Sequence, residues 1–243
     1  MELASGVHRY GGGPVNWYLV EEGGKVTAVD AGTPGDWAVF MAALRDLGRS
    51  PADVEAVVLT HAHQDHIGFA ERARSEAGVP VRVHEADAAL ARGERPPRRD
   101  RSLLPYLRHR AALSLLVYFL RKGAARTPPV QEAHTFADGE TLDVPGRPRV
   151  IHAPGHTEGS CALHLPERGT LLSGDVLVTR NPLTGRPGPQ VMPAAFNADT
   201  AQALEALGRL EGLDAAAVLP GHGDPWTGGV AEAVRLARAA GPS

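Results

Sequence analysis

Within six residues, His61-Ala62-His63-Gln64-Asp65-His66 gathers four groups able to bind a metal ion, directly after a β-branched run, Val54 to Leu59, that reads as a buried strand. A chain built this way needs a fold in which a loop at a strand end meets partner residues from elsewhere. Strand periodicity puts His61 and His63 on one face, and the turn that follows lets Asp65 and His66 point at a second, nearby position. Such an arrangement suits two cations better than one. Neutral imidazoles with carboxylates are the ligand set expected for zinc, and the same groups tolerate iron or manganese.

Three more candidates lie far along the chain: His156 in Ala153-Pro154-Gly155-His156-Thr157, Asp175 in Ser173-Gly174-Asp175, and His222 in Pro220-Gly221-His222-Gly223. Each follows a strand-like segment and is flanked by glycine, which permits a tight backbone path into a shared pocket. A lone histidine is more often an ordinary hydrogen-bonded residue, so His8, His84, His109, His134, His152 and His164 are given no chemistry. Cys161, inside an apolar run, reads as a small buried side chain. Asp30 closes a strand and either forms a local turn or supports the cluster from behind.

Taken together, the motif at 61 to 66, the distal His156, Asp175 and His222 in that order, Asp30-Ala31-Gly32 after the second strand, and Gly155-His156-Thr157-Glu158-Gly159-Ser160 resemble the metallo-β-lactamase superfamily over nearly the whole chain. The resemblance implies an α/β fold, a four-layer αβ/βα sandwich of two mixed sheets flanked by helices, with metals in a cleft at the sheet edges. It further implies that His61, His63 and His156 hold one metal, that Asp65, His66 and His222 hold a second, that Asp175 bridges them, and that Asp30 stands behind the ligands. A water bridging two divalent cations has its pKa lowered towards ~7, so no serine or cysteine nucleophile is required. Asp65, together with that water, is the expected catalytic pair.

With 243 residues, 43% of them apolar, the expectation is one domain over 1–243. Residues 16 to 29 read as a hairpin, 36 to 47 and 68 to 77 as helices, 79 to 84 as a strand, and 92 to 105 as a basic, proline-containing surface connection. Leu103 to Lys122 has a helical pattern in Leu104, Leu107, Ala111, Leu115 and Tyr118, and it is expected to form part of a helical lid inserted around 95–128, with a dimer contact or plain core as the other readings. Strands at 150 to 152, 161 to 165, 171 to 172 and 216 to 219 and a helix at 199 to 210 complete the pattern.

A net charge of −3 gives no global attraction to nucleic acid or to an anionic membrane, although a local basic patch is compatible with it. The longest apolar run, Ala111 to Leu120, is about half the ~20 residues a membrane span needs. One cysteine and an N-terminus without a basic start or apolar stretch point to the cytoplasm.

The reaction expected is hydrolysis of an ester, thioester or lactone of small-molecule size, with room for an apolar acyl portion and no nucleic-acid partner; a homodimer is left open. Asp175 in the bridging position speaks against a β-lactam substrate, because the zinc β-lactamases lack that aspartate. Ala62 replaces a histidine of glyoxalase-II-type thioesterases, and Phe69-Ala70 follow Ile67-Gly68 where quorum-quenching lactonases continue with asparagine. A phosphodiesterase or nuclease normally carries further domains. A mononuclear-iron persulfide dioxygenase would leave Asp65, His66 and His222 idle, and a metal-bound scaffold without turnover is the remaining alternative.

Overall fold

The computed structural model describes residues 2–11 and 13–243. Seven strands, β1 (Glu2–Ala4), β2 (Val7–Tyr10), β3 (Trp17–Glu22), β4 (Lys25–Val29), β5 (Val54–Val58), β6 (Val81–His84) and β7 (His134–Phe136), lie side by side in sequence order. The first three pairings are antiparallel and the last three parallel. The chain then forms β8 (Arg149–His152), β9 (Cys161–Leu165), β10 (Thr170–Gly174), the two-stranded ribbon β11 (Val178–Arg180) with β12 (Pro187–Gln190), and β13 (Ala217–Pro220). A second sheet has the order β13-β10-β9-β8, with β10 and β13 parallel and the other pairs antiparallel. Both large sheets are mixed.

Because side chains alternate across a strand, each sheet offers an apolar face to either side. Tyr18, Val20, Ala56 and Val58 from the first sheet meet Val150, Leu163, Leu165, Leu172 and Leu219 from the second, forming the central layer of contact. Their sequence neighbours Trp17, Leu19 and Val57 face outwards onto α1 (Trp37–Asp46) and α2 (Ala70–Ala77) through Phe40, Leu44, Ala70 and Ala73. On the far side Ile151, Ala162, Leu171 and Val218 pack against α5 (Thr200–Ala206) and α6 (Val230–Ala240) through Ala203, Ala206, Val230 and Val234. The order helix, sheet, sheet, helix is the four-layer sandwich expected from the sequence. Each fully buried leucine in it contributes about 1.5–3 kcal/mol.

Between α3 (Ala88–Ala91) and β7 runs the segment with α4 (Arg110–Lys122), and here the structure departs from the single helix expected over 103 to 122. Leu104–Arg108 is a 3-10 turn, and His109 takes an extended conformation (φ −88°, ψ 133°) before α4 begins. Leu104 and Leu107 are exposed, whereas Ala112 and Leu115 are buried against Leu183 and Ala195. The short strands β1, β2, β7, β11 and β12 and the short helix α3 had no counterpart in the sequence reading, since three or four residues are too few for a periodic signal; α6 had none either, although Val230, Ala233, Val234 and Ala237 recur at helical spacing.

Candidate metal centre

The candidate residues come from the carboxyl ends of strands. Asp30 follows β4, His61 to His66 follow β5, His156 follows β8, Asp175 follows β10 and His222 follows β13. Within their sheets β4 and β5 run parallel, as do β8, β10 and β13 by way of their pairings, so these ends collect at one edge of each sheet. A ligand cleft at the carboxyl ends of parallel strands is the usual consequence.

The convergence of His61 and His63 has a different cause from the strand pleat expected. β5 ends at Val58, and the residues beyond form a turn in which the amides of His66 and Ile67 donate to the carbonyl of His63 at 2.9 and 3.0 Å. This loop is anchored to the one after β4: Ala31 N donates to His66 O at 2.6 Å, and Phe69 N to Ala31 O at 3.0 Å.

All seven residues meet. Ring nitrogens of His61, His63 and His156 form one group whose ligand atoms lie within 4.8 Å of one another; Asp65, His66 and His222 form a second, and Asp175 joins His61 and His66 in a third. His156 Nε2 lies 3.1 Å from His61 Nε2 and 2.8 Å from His63 Nδ1. Asp175 Oδ2 is 3.4 Å from His156 Nε2 and 3.2 Å from His222 Nε2, while its Oδ1 is 3.7 Å from His66 Nε2. Asp175 thus stands between the two imidazole sets.

Two buried atoms here, His66 Nε2 and Asp175 Oδ1, have no hydrogen-bond partner. Buried polar atoms are normally satisfied, and a cation coordinated by both would satisfy them. Burial holds the imidazoles of His61 and His63 below the usual range and brings His156 down to about 3, leaving these three neutral, the form that ligates metals. Burial opposes protonation of His66 too, but Asp175 and Asp30 outweigh it and raise this imidazole to about 10. His222 is likewise raised against its burial by Asp175. In turn His222 and His66 keep the Asp175 carboxyl well below its usual range despite desolvation. A divalent cation would replace the positive charge that a proton otherwise supplies. The donor set therefore fits a metal pair.

The ring nitrogens facing away from the cluster are fixed by partners. Thr60 Oγ1 lies 3.1 Å from His61 Nδ1, Asn197 Oδ1 3.1 Å from His156 Nδ1, and the carbonyl of Pro14 2.6 Å from His222 Nδ1. Asp30 Oδ2 sits 2.8 Å from His66 Nδ1, and its Oδ1 accepts from Thr60 N at 2.8 Å. Asp30 adopts φ 60°, a left-handed conformation that aspartate tolerates better than most residues.

Sequence reasoning missed Asp87 and Asn197. Asp87, fully buried, accepts hydrogen bonds from Ala62 N at 3.0 Å, Thr157 Oγ1 at 2.7 Å and Gly159 N at 2.8 Å, tying the loop at 61 to 66 to the one around His156. Close approach also explains two of the flanking glycines. At Gly155 (φ 131°) a Cβ would lie 2.2 Å from Ala203 N, and at Gly221 it would meet Asp175 Oδ1 at 2.2 Å and His66 Cε1 at 2.7 Å. The remaining histidines have structural partners where the contacts are defined: His84 stacks on His152 at 4.0 Å, and His8 pairs with Glu21 at 3.0 Å. Cys161 is buried, and desolvation raises its thiol well above the usual range.

Above the cluster opens a cavity of about 540 Å³. Its floor carries His63, Asp65, His156, Asp175 and His222, its apolar wall Leu90, Leu115, Phe119, Met192 and Phe196, and its rim Arg95, Arg98 and Arg99. The basic stretch is therefore more than the solvated connection expected: Arg95 and Arg98 both reach Glu158 beside the His156 loop, and Arg95 also donates to Ala86 O at 2.6 Å.

Residues 10–222 match the metallo-beta-lactamase superfamily profile. The uncharacterised Bacillus subtilis protein YobT is 31% identical over 69% of this chain, which spans 64% of that relative. The probable metallo-hydrolase YflN of the same organism is 30% identical over 93% of this chain and 87% of its own length. An acyl-coenzyme A thioesterase, MBLAC2 of Gallus gallus, is 29% identical over 72% of this chain and 58% of its own. Among solved structures, the metallo-beta-lactamase family protein TTHA1429 from Thermus thermophilus superposes with a TM-score of 0.70 at 29% identity, covering 97% of this chain and 79% of that one. TTHA1623, solved in a di-iron-bound form, gives 0.61 at 27% identity over 92% and 95%. The chain belongs to the metallo-beta-lactamase superfamily.

Proposed function

We propose that this protein is a binuclear metal-dependent hydrolase of ester, thioester or lactone bonds. The observation that carries the proposal is the pair of buried atoms without a hydrogen-bond partner, His66 Nε2 and Asp175 Oδ1, 3.7 Å apart where the groups of converging ligands meet. His61, His63 and His156 would hold one cation, Asp65, His66 and His222 the other, and Asp175 both. Zinc matches this nitrogen-and-oxygen donor set, and the di-iron form of TTHA1623 makes iron the alternative occupant.

When bound, such cations supply Lewis acidity towards a carbonyl oxygen and make a water nucleophilic near pH ~7. The protein's own groups do the rest. Asp65, on the cavity floor, accepts the proton of the attacking water on a carboxylate oxygen and passes it to the departing oxygen or sulfur as the bond from the carbonyl carbon breaks. Leu90, Leu115, Phe119, Met192 and Phe196 exclude water and receive an apolar acyl portion, with α4 acting as the lid. The thioesterase relative supports a thioester within this class. A fold with a single, buried cysteine gains nothing from an oxidising compartment, which favours the cytoplasm.

The test is a hydrolysis panel of lactones, thioesters, aryl esters, phosphodiesters and β-lactams, run on the metal-loaded protein and on Asp65→Ala. Turnover of a thioester, lactone or ester, lost by about 10²-fold or more in the variant with unchanged thermal unfolding, is the expected result. Turnover that survives Asp65→Ala contradicts the mechanism. Cleavage of phosphodiesters alone moves the protein to the nuclease branch.

A further inference from the structure

Six of the seven large hydrophobic side chains exposed among the described residues lie in one short segment: Leu104, Leu107, Leu113, Leu116, Val117 and Leu120. Leu104 is 74% exposed and Leu120 65%. On α4 the last four fall at i, i+3, i+4 and i+7, a continuous apolar stripe centred about 120° around the helix from Ala112, Leu115 and Phe119. At 100° per residue the exposed Arg110 and Arg121 line one side of that stripe. Apolar surface concentrated in this way marks an interaction site.

Charge identifies the partner. Between Leu104 and Arg121 the chain carries Arg108, Arg110 and Arg121 and no acidic residue, a net +3, so the rest of a protein of net charge −3 carries −6. A symmetric dimer through this face would bring two +3 segments together, which opposes a second copy as the occupant. An anionic lipid surface satisfies both features, since it takes up the leucine stripe and attracts the flanking arginines while repelling the acidic remainder. We propose that the segment 104–121 docks the protein on an anionic lipid surface, with α4 lying in the interface. The helix is too short to cross a bilayer, in keeping with peripheral attachment. Leu115 and Phe119, on its other face, line the cavity, so docking sets the wall of the cleft beside the acyl chains.

The experiment is vesicle flotation of the full-length, metal-loaded protein with phosphatidylcholine alone and with phosphatidylcholine mixed with phosphatidylglycerol. Partition onto the mixed vesicles, weakened by added salt, is expected. Arg110→Gln/Arg121→Gln weakens it about 30-fold, at about 1 kcal/mol per basic residue near such a surface, and leaves the pure phosphatidylcholine result unchanged. Leu116→Gln/Leu120→Gln weakens it by about tenfold or more with unchanged thermal unfolding, because both side chains are exposed. Absence of partition onto mixed vesicles, or equal partition onto both kinds, overturns the proposal. Sedimentation that shows a dimer abolished by the same leucine pair, without vesicle binding, assigns the face to a second copy and overturns it as well.

Discussion

His66 Nδ1 lies 2.8 Å from Asp30 Oδ2, so a carboxylate fixes the ring whose other nitrogen, Nε2, is buried without a hydrogen-bond partner. A carboxylate behind a ligating imidazole orients it and raises its basicity, and removing such a support typically costs 10–100-fold in metal affinity. Asp30→Asn is expected to weaken binding of the cation at Asp65, His66 and His222 by about that factor, read by competition with a chelator. Asp30→Ala, which also strands Thr60 N, is expected to lower unfolding free energy by about 2–4 kcal/mol in urea titrations.

Asp87 joins the two loops that carry the first ligand group. Replacing it with alanine leaves two buried backbone amides, those of Ala62 and Gly159, without an acceptor, and leaves the Thr157 hydroxyl only Ser160 Oγ. An expected loss of about 3 kcal/mol or more in stability is accompanied by weaker metal binding. Asp87→Asn keeps the shape and one acceptor oxygen, so it should fall between alanine and wild type in the same urea titration.

Gly221→Ala separates site geometry from overall stability. The added methyl would press on Asp175 Oδ1 and His66 Cε1, both part of the cluster. Activity is expected to fall by about 10²-fold, in line with a displacement of about 1 Å at a catalytic site. Steady-state kinetics and circular dichroism on the same sample distinguish this from a folding defect.

Much of this site was legible in the sequence, because its chemistry demands particular residue types at strand ends. The motif at 61 to 66 and the glycine-flanked His156, Asp175 and His222 announce themselves without the fold. Asp87 and Asn197 do not, since their roles arise from partners such as Gly159 and His156, 72 and 41 positions away. The sandwich was implied by the family resemblance of these motifs, whereas the strand pleat stops at Val58, before His61, and hydrogen bonds to the carbonyl of His63 shape the turn that follows. The α4 segment illustrates another limit. Apolar periodicity locates a helix, but which stripe is covered depends on neighbours such as Leu183 and Ala195, and Leu104 and Leu107 remain outside that contact.

Metal content per chain tests the two-cation centre most directly. Protein saturated with zinc, freed of excess and assayed by elemental analysis should hold two equivalents, and His222→Ala should hold one, because only the Asp65, His66 and His222 group is broken. One equivalent in the wild-type protein, or two in both, would contradict the paired-metal centre proposed here.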